Sequence, residues 1–314
     1  MEITIPILGK TYYDLSKFDF SFLDIKIYDI QSDEFENYIE RQQPDFKDAN
    51  MNFVISIFEE IHSDCDKKYA IVKNNPKENF NASDIYNVWK MLLILFPSDL
   101  QIEYEIIYDY ENGFFQRSYM STFHKRYTGE YPGELLYSDD DKLEEINEFI
   151  GKYFKNLEND NYIGLAIESY LASFSASHLH FQYLTLCMAL ESVIYGSQEL
   201  TYRLRRSIGL LCGDNVNSCR RIFNNINKLY KIRSKIIHGE KYDLGKIFEY
   251  LEPLKAIVSR TIIELLIHNI PNKKDLNSKI SELGYGNRNE ISEDWQKYEL
   301  NIMTMVATNW KKLE

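Results

Sequence analysis

Arg233 and His238 stand five residues apart in the string Arg233-Ser234-Lys235-Ile236-Ile237-His238-Gly239. An imidazole titrates near neutral pH, so it can give or take a proton there. A guanidinium keeps its charge, and its planar fork matches the oxygens of a carboxylate or phosphate. Arg233 also sits where an apolar residue is expected. Ile222, Ile226, Leu229 and Ile236 step by four, three and seven, and Arg233 fills the gap of seven. The companion register Phe223, Ile226, Tyr230, Ile237 leads to the same position. A second break lies upstream: Phe181, Leu184, Met188 and Tyr195 recur at helical spacing, and the missing member is Glu191. Two opposite charges in core-directed slots form either a buried structural pair or a site in which Glu191 holds Arg233 in place. Five residues of regular helix turn about 500°, or 140° net, so Arg233 and His238 diverge within one helix. They converge if the helix loosens near Gly239, or across a two-fold axis with a second copy. A histidine at a helix end is also a simple dipole-compatible cap.

The elements that must position these residues are helical. Leu143, Ile146, Ile150, Phe154 and Leu157 recur at three- and four-residue steps, predicting a first helix, and a second spans 162–174. A third runs over 178–195 to Gly196, a fourth over 200–212 to Gly213, a fifth over 218–238 to Gly239, and a sixth over 244–270 to Pro271. Short connections between consecutive helices point to an antiparallel bundle. The tail from 272, with Trp295 and Trp310, adds one or two packing helices. His178 and His180 bracket a helix start and read as structural.

The first 142 residues read as mixed α and β. Strands are expected at 3–8, 25–30 and 101–110, and the last forms a hairpin with 114–120 across the turn signal Asn112-Gly113. Ser83 is the expected N-cap of a helix that Pro97 ends. His62, Asp64 and Cys65, and His124 beside Lys125 and Arg126, read as solvated polar groups rather than ligand sets. The fold class is therefore α+β: a mixed α/β region over 1–142, an all-α bundle over 143–270 and a helical extension over 271–314.

Length and 44% hydrophobic content suffice for more than one core and exclude a disordered chain. Four cysteines without C-x-x-C spacing point to a reduced, cytosolic protein. The N-terminal residues lack the pattern of a signal peptide, and no run is apolar enough for a membrane span. With 36 basic and 48 acidic residues the formal charge is −12, which argues against a protein that coats nucleic acid. The charge is uneven, however: residues 1–150 sum to −16 and 151–314 to +4. Residues 201–241 hold ten Lys or Arg against Asp214 and Glu240 alone. Arg203 and Arg206 share a helix face, and Lys231 and Lys235 lie beside the motif residues.

The string with Tyr230, Arg233, four intervening residues and His238-Gly239 resembles the R-x4-6-H motif of HEPN domains. Residues 186–195 (LCMALESVIY) and 203–213 (RLRRSIGLLCG) are similar to the ApeA-like branch of that superfamily. The resemblance covers roughly 143–270 and rests on several blocks in the right order. It implies a HEPN helical bundle and a metal-independent endoribonuclease, with no cofactor, acting in antiviral defence, abortive infection or toxin-like growth arrest. Arg233 and His238 would be catalytic, with Glu191, Ser234 and Tyr230 in support and Arg203, Arg206, Lys231 and Lys235 guiding RNA, tRNA among the candidates. It further implies a homodimer through the bundle and a phage-derived trigger at the N-terminal region. Many catalytic members carry Asn, Asp or His directly after the motif arginine; here Ser234 offers only a hydroxyl. The alternative is a non-catalytic HEPN module that binds nucleotide or a partner protein.

Overall fold

The computed structural model describes residues 2–9, 13–42, 68–76, 80–98, 100–109, 114–118 and 142–285. The polar clusters around His62 and His124 and both tail tryptophans lie outside them. The chain divides into two compact units, one of 1–90 with 98–151 and the other of 91–97 with 152–314. The first carries an antiparallel sheet with helices, and the second is a mostly helical bundle, so the α+β class holds.

In the first unit β1 (Glu2–Leu8), β2 (Ile25–Asp29), β3 (Tyr69–Lys73), β4 (Ile102–Asp109) and β5 (Phe114–Ser118) form one sheet in the order β2-β3-β1-β4-β5, with every neighbouring pair antiparallel. The expected hairpin is β4–β5, with Tyr108 opposite Phe115. Two elements have weak sequence signals. β3 is apolar without alternation because Ala70, Ile71 and Val72 are all buried. α1 (Asp33–Gln42) is rich in charge, yet Phe35, Tyr38 and Ile39 pack with Ile5, Ile7, Val72 and Ile106 into one cluster. Asp33, Glu34 and Glu36 in its first turn suit the helix dipole. α2 (Ala82–Leu95) starts ahead of the expected cap at Ser83, because Asn81 Oδ1 accepts from the Ser83 N–H. Its last residues and the two that follow, Met91–Pro97, belong to the second unit.

After α3 (Leu143–Tyr153) and a 3-10 turn (Phe154–Leu157), the bundle contains α4 (Tyr162–Ser175), α5 (Leu179–Ser192), α6 (Leu200–Cys212), α7 (Val216–Ile237), α8 (Leu244–His268) and α9 (Lys273–Tyr285). α4 packs on α5, α6 on α7, and α8 on α4, α5, α6 and α7, with α9 against α6. α8 is the central helix. From Leu254 to Leu266 its residues are buried all round, including Lys255, Ser259, Arg260 and Glu264, as expected of a helix enclosed on every side. Its charges are paired: Lys255 with Glu252 at 2.6 Å, and Arg260 with Glu264. Tyr170 donates to the Leu93 carbonyl at 2.8 Å and Ser259 donates to that of Ile94, which fixes the 91–97 segment to the bundle. Among the described residues, no helix is long and apolar enough to cross a membrane.

Candidate functional site

α7 is framed by strong signals at both ends. Asn215 caps it, accepting from the Asn217 and Ser218 N–H groups, while Ser218 Oγ accepts from the Asn215 N–H to complete a capping box. At the other end Glu240 N–H donates to Lys235 O at 2.9 Å and Gly239 N–H to Ile236 O at 3.2 Å. With Gly239 at φ +66°, this is a Schellman stop, and His238 is the C-cap residue. The helix is therefore regular through Ile237, without the loosening near Gly239 that would turn His238 toward Arg233.

Ile222, Ile226, Leu229 and Tyr230 are buried, and Arg233 continues their face. Its Nη2 donates to Glu191 Oε2 at 3.0 Å, and its Nε lies 2.8 Å from Oε1. The pair expected from the two broken stripes thus forms. It is not sealed, because the side chains retain 24% and 20% of their exposure. Among the described residues Arg233 Nη1 has no partner, so the outer edge of the fork stays open. The Arg233 guanidinium carbon lies 5.2 Å from the centre of the Tyr230 ring. Burial, followed by the adjacent Glu191 carboxylate, pushes the Tyr230 hydroxyl well above its ordinary pKa.

The α5 stripe requires a correction. Phe181, Met188 and Tyr195 are exposed, not core-facing. The buried line is Tyr183, Leu186, Cys187 and Leu190, and Glu191 extends it at the i, i+4, i+8 positions of Tyr183 and Cys187. α5 is apolar on nearly every side, so its periodicity cannot select the inward face. The helix also stops at Ser192 rather than Tyr195.

Two further residues belong to this site. The Tyr183 hydroxyl donates to Leu229 O at 2.9 Å, the same carbonyl that an α-helix offers to the Arg233 N–H. This bond fixes α7 axially against α5, one turn before the ion pair. The Cys187 thiol is buried beneath Glu191, and burial pushes its pKa up. Both were accessible in the sequence only as the i−8 and i−4 neighbours of Glu191.

The remaining expected residues separate into two groups. His238, Lys231 and Lys235 are exposed on the face of α7 away from Arg233, with Ser234 half-buried between. Arg203 donates to the carbonyls of Gln198 at 2.9 Å and Tyr195 at 3.3 Å, fastening the segment that joins α5 to α6. Arg206 lies against α9, where a Cβ on Gly284 would meet its Nη2 at 2.7 Å. His178 and His180 stack at 5.5 Å beside Phe181 at the start of α5. Among the described residues, no group of three His, Cys, Asp or Glu stands where it could hold a metal ion. No family model, curated protein or solved structure matches the chain.

Proposed function

We propose that the protein is a metal-independent endoribonuclease of the HEPN type, acting in the cytoplasm in defence against phage. The observation that carries this reading is the ion-paired but partly open Arg233, with Nη1 directed away from Glu191, on the helix that ends at His238. Glu191 orients the guanidinium, and the open edge takes an oxygen of the scissile phosphate. His238, exposed at the C-cap, removes the proton of a ribose 2′-hydroxyl, whose oxygen attacks the adjacent phosphorus. The phosphorus bond to the 5′-oxygen breaks, and a second imidazole returns a proton to that oxygen. The products are a 2′,3′-cyclic phosphate and a 5′-hydroxyl.

Within one chain Arg233 and His238 face apart, so the reading requires two chains that place their motifs across an isologous interface. Phe181 and Met188 on α5, Ile237 at the end of α7, and Leu244 and Phe248 at the start of α8 are large, apolar and exposed near the motif helix's end or on the helix that bears Glu191. A second copy of this chain is the occupant that would also complete the site.

Incubation of purified protein with tRNA and total RNA in EDTA tests the reading. Cleavage by the wild type and its loss in folded Arg233→Ala and His238→Ala variants are expected, with sedimentation at the mass of a dimer. Absence of cleavage at any RNA concentration overturns it. The engagement of Arg233 by Glu191 favours one other reading, a non-catalytic HEPN module. That reading is supported if RNA or nucleotide binds without being cut.

A further inference from the structure

α7 has no acidic residue in its 22 positions but carries Arg220, Arg221, Lys228, Lys231, Arg233 and Lys235. In a chain of charge −12 this is an isolated concentration of like charge. Arg233 is offset by Glu191. By contrast, Arg220, Lys228, Lys231 and Lys235 have no carboxylate partner among the described residues. At 100° per residue, Arg220, Asn224, Lys228, Lys231, Lys235 and His238 fall within a sector of about 80°. Arg233 lies about 160° from Lys231 on the same wheel. These side chains are exposed, apart from the half-buried Lys228. The like-charge pairs Lys228–Lys231 and Lys231–Lys235, at i, i+3 and i, i+4, oppose helix formation slightly, a cost that a bound polyanion relieves.

One flank of this face has a second feature. Arg205 donates to Phe223 O at 3.0 Å and lies 3.9 Å over the Phe223 ring. Tyr202 meets the same ring edge-on at 6.1 Å and is itself about half exposed. An exposed aromatic ring packed on the helix that carries a row of cations is the arrangement that accepts an unstacked base next to a neutralised backbone.

We propose that the outer face of α7, from Arg220 to His238, is a track for the backbone of single-stranded RNA, with Tyr202 receiving a base at its flank. The choice of RNA over DNA rests on the ribonuclease reading; the backbone contact rests on α7 alone. The track leads the strand to His238 along the side of the helix opposite Arg233 of the same chain.

Binding of a fluorescein-labelled, unstructured 20-nucleotide RNA to the full-length His238→Ala protein, followed by anisotropy in EDTA, separates the two ideas. Four neutralised phosphates give a slope of log affinity against log salt of about −2.8, or roughly 50-fold weaker binding between 50 and 200 mM salt. In Lys231→Gln/Lys235→Gln on that background the slope should fall to about −1.4. Lys155→Gln/Lys274→Gln, which removes the same charge from other exposed positions, should leave it unchanged. Tyr202→Ala should weaken binding at least about fivefold without altering the slope. A slope unmoved by the α7 double substitution overturns the track. Equal affinity for a duplex of the same sequence, or no effect of Tyr202→Ala, overturns its single-strand character. If wild type does not cleave but the salt slopes are as stated, the nuclease reading falls and the track stands. If wild type cleaves and Lys231→Gln/Lys235→Gln cleaves with unchanged KM, the track falls and the nuclease reading stands.

Discussion

Arg233 and Glu191 illustrate what one residue can reveal about its surroundings. Each occupies a place where periodicity calls for a hydrocarbon, and each is there because the other is opposite it. Removing one leaves a mostly buried charge without its counterpart, so Arg233→Ala and Glu191→Ala should each cost about 1–3 kcal/mol. The double variant should recover part of that loss, with a coupling of about 1–2 kcal/mol in a chemical-denaturation cycle. A coupling near zero would reduce the pair to a surface contact. The residues beneath the pair carry a pH dependence. The Tyr183 hydroxyl and the Cys187 thiol are both raised by burial above their ordinary values of 10.0 and 9.0. Well below pH 9 both groups are protonated whether the chain is folded or not, so they contribute no slope. Above that the unfolded chain loses protons that the folded one retains, and stability should fall, by up to about 1.4 kcal/mol per pH unit for each group. Thermal midpoints measured from pH 7 to 11 should therefore be level until about pH 9 and then decline. Cys187→Ala should shift the onset of that decline toward pH 10.

At the scale of elements, the glycines that end α6 and α7 look alike in sequence but serve different physical needs. Gly239 is at φ +66°, and a Cβ there would meet nothing within 4 Å, so only backbone conformation requires it. Gly213 has φ −79°, a value any residue adopts, yet a Cβ there would lie 2.6 Å from Cys219 N and Sγ. Gly239→Ala should cost about 1 kcal/mol, the penalty of one left-handed residue. Gly213→Ala should cost more, since α6 and α7 must separate at the first turn of α7; paired urea melts decide the order. This contrast also marks what the sequence could disclose. Caps, glycine stops and three-to-four spacing located α3 to α8 within a few residues, because those signals are local. The inward face of α5 was hidden because Phe181 and Met188 are as apolar as Tyr183 and Leu186. β3 and α1 were missed for the related reason that burial on both sides, or one narrow apolar edge, leaves little periodicity. Arg233 was legible as an interruption of a buried stripe, whereas Glu191 was singled out through a stripe that is exposed; the pair's openness was not legible, since that depends on which neighbours arrive in three dimensions.

For the whole molecule, the uneven charge raises the question whether the acidic first 142 residues restrain the basic segment, and the direct test would delete them and look for freer activity. The fold makes that deletion unsuitable. Residues 91–97 precede the cut in sequence but belong to the helical unit. Leu93, Leu95 and Phe96 are buried, and the Leu93 and Ile94 carbonyls accept the hydroxyls of Tyr170 and Ser259, both wholly buried. A 143–314 fragment would remove these acceptors from both hydroxyls, at about 1–3 kcal/mol each, and would open a channel where large apolar side chains such as Leu93, Leu95 and Phe96 had been. The sum is comparable with the entire stability of a domain of this size, about 5–15 kcal/mol. The fragment should therefore show helical circular dichroism without a cooperative melt, and loss of RNA cleavage by it would say nothing about restraint. Restraint is better tested in the full chain, by neutralising acidic residues of the first unit that no core contact requires, such as Glu36 and Glu40. A cooperative melt of the 143–314 fragment near that of the full chain would show instead that the 91–97 segment is dispensable, and would make the simple deletion a valid test of restraint.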